Sequence, residues 1–277
     1  MDKGITNSQL LDQACALRDQ GKLREAYEAF LLAAQNTDNI LEQAGLLLNA
    51  ADALRESGEY ELAKKRLDSV RELLSVSRTG SLSPSDRDEF LRLAVGAEVE
   101  EAQIWSDGGQ VEKAIQEMTK LLEQHESELK QRNLFDSLDY VHMRRAYLWA
   151  DTGAFEKAKP RLEEMESRQH QNPVFLFYLG DCCVATKEFS KARQKLEKAI
   201  SLGLPPHFDF QAHCSLGMAL YELGEFAGAK LELERGVHTA TPRYINEAKI
   251  WKWLEYTCIS LGLKEDAERY GQLARPS

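Results

Sequence analysis

The chain has 277 residues, of which 43% are hydrophobic and 29% charged, with only 17 Gly and 7 Pro. This balance is typical of an ordered globular protein and excludes long disordered or low-complexity segments. The formal net charge of −10 argues against nucleic acid as the main ligand, because phosphate neutralisation requires a surplus of Lys and Arg.

The amino-terminal residues MDKGITNSQLLDQ contain no apolar run of signal-peptide length. No later segment offers the roughly 20 apolar residues of a membrane span. We therefore expect a soluble, cytoplasmic protein that does not bind membranes. The five cysteines are odd in number and lie among apolar residues, which favours buried reduced thiols.

In chain order, one pattern recurs seven times: a helical run, a turn residue, an Ala five residues later and an apolar residue four further on. The seven turn residues are Gly21, Gly58, Gly109, Gly153, Lys187, Gly224 and Gly262. The alanines that follow them are Ala26, Ala63, Ala114, Ala158, Ala192, Ala229 and Ala267. Gly accepts a left-handed backbone without a Cβ penalty, and Ala lets two helices approach closely, so the pattern predicts seven helix pairs.

Small residues also recur seven positions before each turn, where the first helix of a pair would meet the second. They are Ala14, Ala51, Ala102, Ala146, Gly180 and Gly217. The seventh copy departs from this rule, because Glu255 occupies the position.

This packing pattern resembles the tetratricopeptide repeat. The most similar copies are FLFYLGDCC…KEFSKARQKLEKAI and HCSLGMALYELGEFAGAKLELERGV, with Leu179-Gly180 and Leu216-Gly217 at the family's signature position. The resemblance covers nearly the whole chain. It implies an all-α fold, a right-handed α-α superhelix of antiparallel helix pairs, and a role in binding other proteins.

The repeats differ in length, since successive marker alanines are separated by 37, 51, 44, 34, 37 and 38 residues. Ser-Pro-Ser-Asp signals a helix start before the third turn, and we expect long helices at 86–107 and 111–132. The sequence thus predicts three acidic repeats in 1–138 and four repeats in 139–277, within one continuous solenoid. Residues 1–138 carry 26 acidic and 16 basic side chains, which indicates either a solvated surface or a site for a basic partner.

No phosphate-binding loop, metalloprotease helix, calcium loop or nucleophile elbow is present. The adjacent pair His213-Cys214 points in two directions on a helix, and Cys182-Cys183 lacks the spacing of a redox motif. We expect neither catalysis nor a cofactor or metal. A carboxylate clamp, known from co-chaperones of this family, is also disfavoured, because only Asn49 matches and Glu100 stands where a cation is needed.

In the family that this chain resembles, first helices line the concave face. Projected on that frame, the N-terminal half presents a polar mixture of Arg18, Asn49, Arg55, Glu100 and Gln103. The C-terminal half is aromatic, and its predicted partner-binding residues are Arg144, Tyr147, Tyr178, Asp181, Met218, Tyr221, Lys252, Trp253 and Tyr256. The competing interpretation is that several of these aromatic residues fill gaps between repeats.

We expect a protein-interaction scaffold that receives a segment of a partner in the C-terminal groove. The alternatives are a sensor whose curvature responds to a peptide or small molecule, and a purely structural subunit of an assembly. The sequence identifies no partner and no oligomeric state.

Overall fold

The computed structural model describes residues 7–77, 82–239 and 248–275. Over these residues the protein contains fourteen α-helices and no strand. The helices are α1 (Asn7–Asp19), α2 (Leu23–Gln35), α3 (Ile40–Glu56), α4 (Tyr60–Ser77), α5 (Pro84–Asp107), α6 (Val111–Gln131), α7 (Phe135–Asp151), α8 (Phe155–Gln169), α9 (Pro173–Ala185), α10 (Phe189–Leu202), α11 (Pro206–Glu222), α12 (Phe226–Thr239), α13 (Ala248–Ser260) and α14 (Lys264–Leu273).

The chain forms two compact units, residues 1–148 and 149–277. The boundary between the units falls within α7. In the first unit α1, α3 and α5 each pack against the helix that follows, and in the second unit α9, α11 and α13 do the same. Consecutive pairs also contact each other within each unit, so each pair buries its apolar faces against its neighbours.

All seven predicted turn residues adopt the left-handed backbone conformation. The six glycines have φ between 72° and 81°, and Lys187 has φ 62°. At each turn two hydrogen bonds close the end of the preceding helix; for example, the Gly224 and Glu225 amides donate to the Tyr221 and Leu220 carbonyls, both at 2.9 Å. This is the Schellman arrangement, and its recurrence explains why Gly marks the sequence pattern.

The small residues of the pattern lie where paired helices touch. Six of the seven marker alanines are 0% exposed, and Ala267 is 8% exposed. A Cβ atom on Gly180 would lie 2.7 Å from Leu196 Cγ, and one on Gly217 would lie 2.5 Å from Leu233 Cγ. Each glycine therefore makes room for a fully buried leucine on the partner helix.

The seventh pair reverses this arrangement. Glu255 replaces the small residue on α13, and Gly271 stands on α14 where the preceding pairs carry a large apolar residue, namely Phe, Met or Leu. A Cβ on Gly271 would lie 2.8 Å from Glu255 Oε1. The exception in the sequence is thus compensated by an exchange of the large and small residues between the two helices.

The long third pair begins at a capped helix end. The Ser83 hydroxyl accepts a hydrogen bond from the Asp86 amide at 3.1 Å and donates to the Asp86 carboxylate at 2.7 Å. The helices α5 and α6 lie within two residues of the predicted bounds 86–107 and 111–132. The Ser-Pro-Ser-Asp signal therefore marks a true helix start.

Adding one methyl group to the closest helix contact tests the packing rule. We expect Gly217→Ala to lower the free energy of unfolding by about 1–3 kcal/mol, because the new Cβ would clash with Leu233. Gly228→Ala is the matched control: its nearest neighbour would be Leu220 Cδ1 at 3.5 Å, so we expect stabilisation by about 0.4–1 kcal/mol. Urea denaturation followed by circular dichroism measures both. Equal effects of the two substitutions would contradict the packing rule.

A second prediction concerns the one turn position without glycine. We expect Lys187→Gly to stabilise the protein by about 1 kcal/mol, since Gly removes the steric cost of the left-handed conformation. Gly224→Ala, at the equivalent turn, should destabilise it by a similar amount. Thermal unfolding of both variants provides the measurement, and a destabilised Lys187→Gly would show that the lysine side chain outweighs its backbone cost.

Candidate functional site

Two of the predicted partner-binding residues, Arg144 and Tyr147, lie on α7 in the first unit. Arg144 is half-buried, with its guanidinium carbon 5.9 Å from the centre of the Tyr140 ring. Tyr147 is only 5% exposed, and burial raises the pKa of its hydroxyl. Tyr147 therefore presents little surface to a partner.

Three of the polar residues predicted for the N-terminal groove, Arg55, Glu100 and Gln103, belong to a network around the Arg55 guanidinium. The guanidinium contacts Asp52 at 2.6 Å, Asp107 at 2.9 Å and Glu100 at 3.0 Å. Glu100 is 6% exposed and accepts two further hydrogen bonds, from Gln103 at 2.8 Å and the Tyr140 hydroxyl at 3.1 Å.

Burial and the neighbouring Asp52 raise the pKa of Glu100. Burial and the charge of Glu100 raise the pKa of Tyr140 to about 12, which keeps this hydroxyl a donor. The Arg55 network thus joins α3, α5 and α7 through ion pairs and hydrogen bonds.

The other seven predicted residues belong to the second unit, where α11 contacts both α9 and α13. Tyr178 is 7% exposed, and its hydroxyl donates to Asp151 at 3.2 Å. Tyr256, at 42% exposed, and Lys252 are open to solvent, with the lysine nitrogen 5.2 Å from the tyrosine ring centre. Asp181, Met218, Tyr221 and Trp253 are partly exposed.

Aromatic side chains form two clusters in this unit. In the first cluster the Phe208 ring centre lies 5.5 Å from that of Phe177 and 5.7 Å from that of Tyr178. In the second, Trp253 lies 5.3 Å from Tyr221 and 6.3 Å from Tyr256. Such edge and tilted contacts favour fixed ring positions, so the exposed rings are held in place by their aromatic neighbours.

A cavity of about 160 Å³ lies between the two clusters, with Phe177 and Trp253 in its wall. Its other lining residues are Asp181, Phe210, Gln211, Cys214, Ser215, Met218, Leu233, Lys249 and Ile250. Gln211 and Lys249 are exposed, so the cavity opens to solvent beside them. An apolar wall with a few polar groups is typical of a ligand or side-chain pocket.

Asp181 is the carboxylate of this cavity, which we call the Asp181 cavity. The Ser215 hydroxyl donates to Asp181 Oδ1 at 2.6 Å. Burial raises the pKa of the carboxyl group, while the Ser215 hydrogen bond and the charge of Lys249 act in the opposite direction. The carboxylate is therefore partly desolvated without an ion pair among the described residues.

Phe208, Ser215 and Lys249 are among the residues of this site that sequence reasoning missed. Phe208 and Lys249 lie near the starts of α11 and α13, outside the span that the repeat pattern covers. Ser215 lies 34 residues after Asp181. These two repeats are 37 residues apart, so the equivalent of Asp181 is Met218, and a comparison of equivalent repeat positions does not find Ser215.

Three further features bear on chemistry. Over the described ranges, no group of three or more His, Cys, Asp or Glu side chains is arranged to hold a metal ion. None of the helices in those ranges combines the length and the apolar character that crossing a bilayer demands. All five cysteines are free thiols, and Cys182, Cys183 and Cys258 are buried.

No protein-family model matches the sequence, and no curated protein matches it either. Solved structures do. The fold is similar to that of PilF from Pseudomonas aeruginosa, with a TM-score of 0.56 and 16% identity over 83% of this chain and 89% of that chain. A mutant of MamA has a TM-score of 0.50 and 19% identity, over 69% of this chain and 98% of that one.

A tetratricopeptide repeat protein from Parabacteroides merdae has a TM-score of 0.48 and 14% identity over 97% of this chain and 91% of that chain. At such identities the comparisons concern the fold alone. Together with the seven left-handed turns and the helix pairs, the likeness to PilF and MamA shows that the chain has the helix-pair fold of tetratricopeptide-repeat proteins.

Proposed function

We propose that the second unit binds a segment of another protein along the face formed by Asp181, Met218, Tyr221, Trp253 and Tyr256, which we call the second-unit face. The observation that carries the proposal is an aromatic cluster with exposed rings beside an open cavity. Tyr and Trp bury a large area at low entropic cost, and a pocket beside them can hold one anchoring side chain.

The remaining predicted residues take different places in this proposal. Buried Tyr178 supports α9 through its hydrogen bond to Asp151 and does not touch the partner. Exposed Lys252 borders the face next to Tyr256 and adds a rim charge. In the first unit, buried Tyr147 supports α7, and half-buried Arg144 is proposed as a separate partner contact.

The proposed role is binding without catalysis and without a cofactor. The five free thiols suit a reducing compartment, and we place the protein in the cytoplasm for that reason. The partner is a peptide segment and not a nucleic acid, because the chain has 45 acidic and 35 basic side chains.

Peptides selected on the full-length chain from a random phage-displayed library test this function. We expect Tyr221→Ala and Tyr256→Ala each to weaken binding of the selected peptides by about 2 kcal/mol, or roughly 30-fold, because each removes an exposed ring of the cluster. The matched control is Leu231→Ala, which truncates a 49% exposed side chain on the second helix α12 and should leave affinity unchanged. Titration calorimetry gives the affinities, and circular dichroism checks that each variant is folded.

Selected peptides that bind the two tyrosine variants as tightly as the parent chain would refute the second-unit face as their site. If no peptide is selected while native mass spectrometry reveals a retained small molecule, the sensor hypothesis replaces the scaffold.

A further inference from the structure

Asp52 and Asp181 occupy the same position in two different repeats, six residues before the turn residues Gly58 and Lys187. The first unit surrounds its carboxylate with positive charge: Asp52 contacts Arg55 at 2.6 Å and Arg18 at 3.5 Å. In the first unit the carboxylate at this repeat position is therefore neutralised by neighbouring arginines.

Asp181 lacks such cations. Ser215 is its one hydrogen-bond donor among the described side chains, and no Lys, Arg or His nitrogen of those residues lies within 4.0 Å of its carboxylate. Lys249 lines the same cavity but is exposed. The second unit thus holds a desolvated carboxylate that no cation of the described residues contacts, and Lys249 acts on it only from a distance beyond 4.0 Å.

The walls around this carboxylate are apolar. Phe177, Phe210, Met218, Leu233, Ile250 and Trp253 contribute carbon surface, and the cavity measures about 160 Å³. A cavity of about 150 Å³ accommodates a benzene-sized group, so one side chain fits and a folded domain does not. Apolar walls suit the methylene stem of Lys or Arg, whose charged end would reach the carboxylate.

We propose that the Asp181 cavity receives the side chain of a lysine or arginine carried by the partner segment. This inference rests on the proposed function and names the chemistry of its anchor. The cation would do for Asp181 what Arg55 and Arg18 do for Asp52, while its stem packs on Phe177 and Trp253.

The positive charge of Lys249 repels an incoming lysine or arginine side chain, but this repulsion is small. Lys249 is exposed, so water screens its charge, whereas the carboxylate lies in a partly desolvated site where attraction is stronger. An acidic side chain would meet Asp181 with like charge, and a neutral apolar one would leave the carboxylate without a counter-ion. A basic side chain is therefore the occupant that the cavity favours.

The test uses single-residue probes and the full chain. Nα-acetyl-lysine amide and Nα-acetyl-arginine amide, whose side chains keep their positive charge, are titrated into the full chain. The methyl signals of Met218 and Ile250, both in the cavity wall, are followed by NMR. We expect saturable shifts in the millimolar range, with N-acetyl-norleucine amide, the neutral analogue of lysine, at least about ten-fold weaker. Asp181→Asn should abolish this preference, and Glu222→Gln, which removes an exposed carboxylate from α11, should keep it.

Equal binding of norleucine and lysine probes overturns the proposal, as does a lysine preference that survives Asp181→Asn or the absence of a saturable shift with every probe. These outcomes are separate from failure of the proposed function. Selected peptides that depend on Tyr256 but not on a basic residue would retain the second-unit face and reject the cation anchor.

Stability measurements show whether Asp181→Asn remains folded. Because burial raises the pKa of Asp181, the folded state holds more protons than the unfolded state between the two pKa values, and stability falls as pH rises through that interval. Asparagine can still accept from Ser215 and carries no charge, so we expect an unchanged or higher Tm at pH 7 and a smaller loss of stability over that interval. Lys249, Cys182 and Cys214, the other titratable groups near Asp181, are retained in the variant.

Discussion

Gly217 on α11 packs directly against Leu233 on α12. A Cβ atom on the glycine would lie 2.5 Å from the leucine Cγ, so only glycine allows the two helix backbones to approach this closely. The same contact recurs at Gly180 and Leu196. It fixes the spacing and the rotation of these two helix pairs, and these determine which side chains of α9 and α11 face outward. The aromatic clusters and the Asp181 cavity depend on that rotation.

Within this common frame the two units use the same repeat position differently. In the first unit Asp52 belongs to the Arg55 network, which is closed and joins three helices. In the second unit Asp181 meets a hydroxyl and an open cavity. A buried charge with all its partners stabilises one arrangement of helices, whereas a buried charge that lacks partners lowers folding stability. Binding sites commonly contain such destabilising groups.

The sequence predicted those features that depend on one repeat alone. Turn glycines and marker alanines act within a single helix pair, so their spacing was sufficient to place the helices. The Ser-Pro-Ser-Asp segment is equally local, and it placed the start of α5 at the Ser83 cap. The spacing of the repeats did not predict how exposed each aromatic side chain is. Tyr178 is buried because Phe208, at the start of the next repeat, packs against it at 5.7 Å, and no pattern within one repeat contains that contact. The exchange between Glu255 and Gly271 likewise becomes visible only when both helices of the last pair are compared.

The self-contained turns have a consequence for how this chain tolerates changes in length. Because each turn closes through its own backbone hydrogen bonds, the helix ends remote from it can lengthen without disturbing the contact near the turn. The third pair illustrates this freedom: α5 and α6 have 24 and 21 residues, yet both flank the same Gly109 turn. Insertions, whether they arise in evolution or are engineered as epitopes, are therefore best accommodated at the junctions between helix pairs, where the chain has already varied its length.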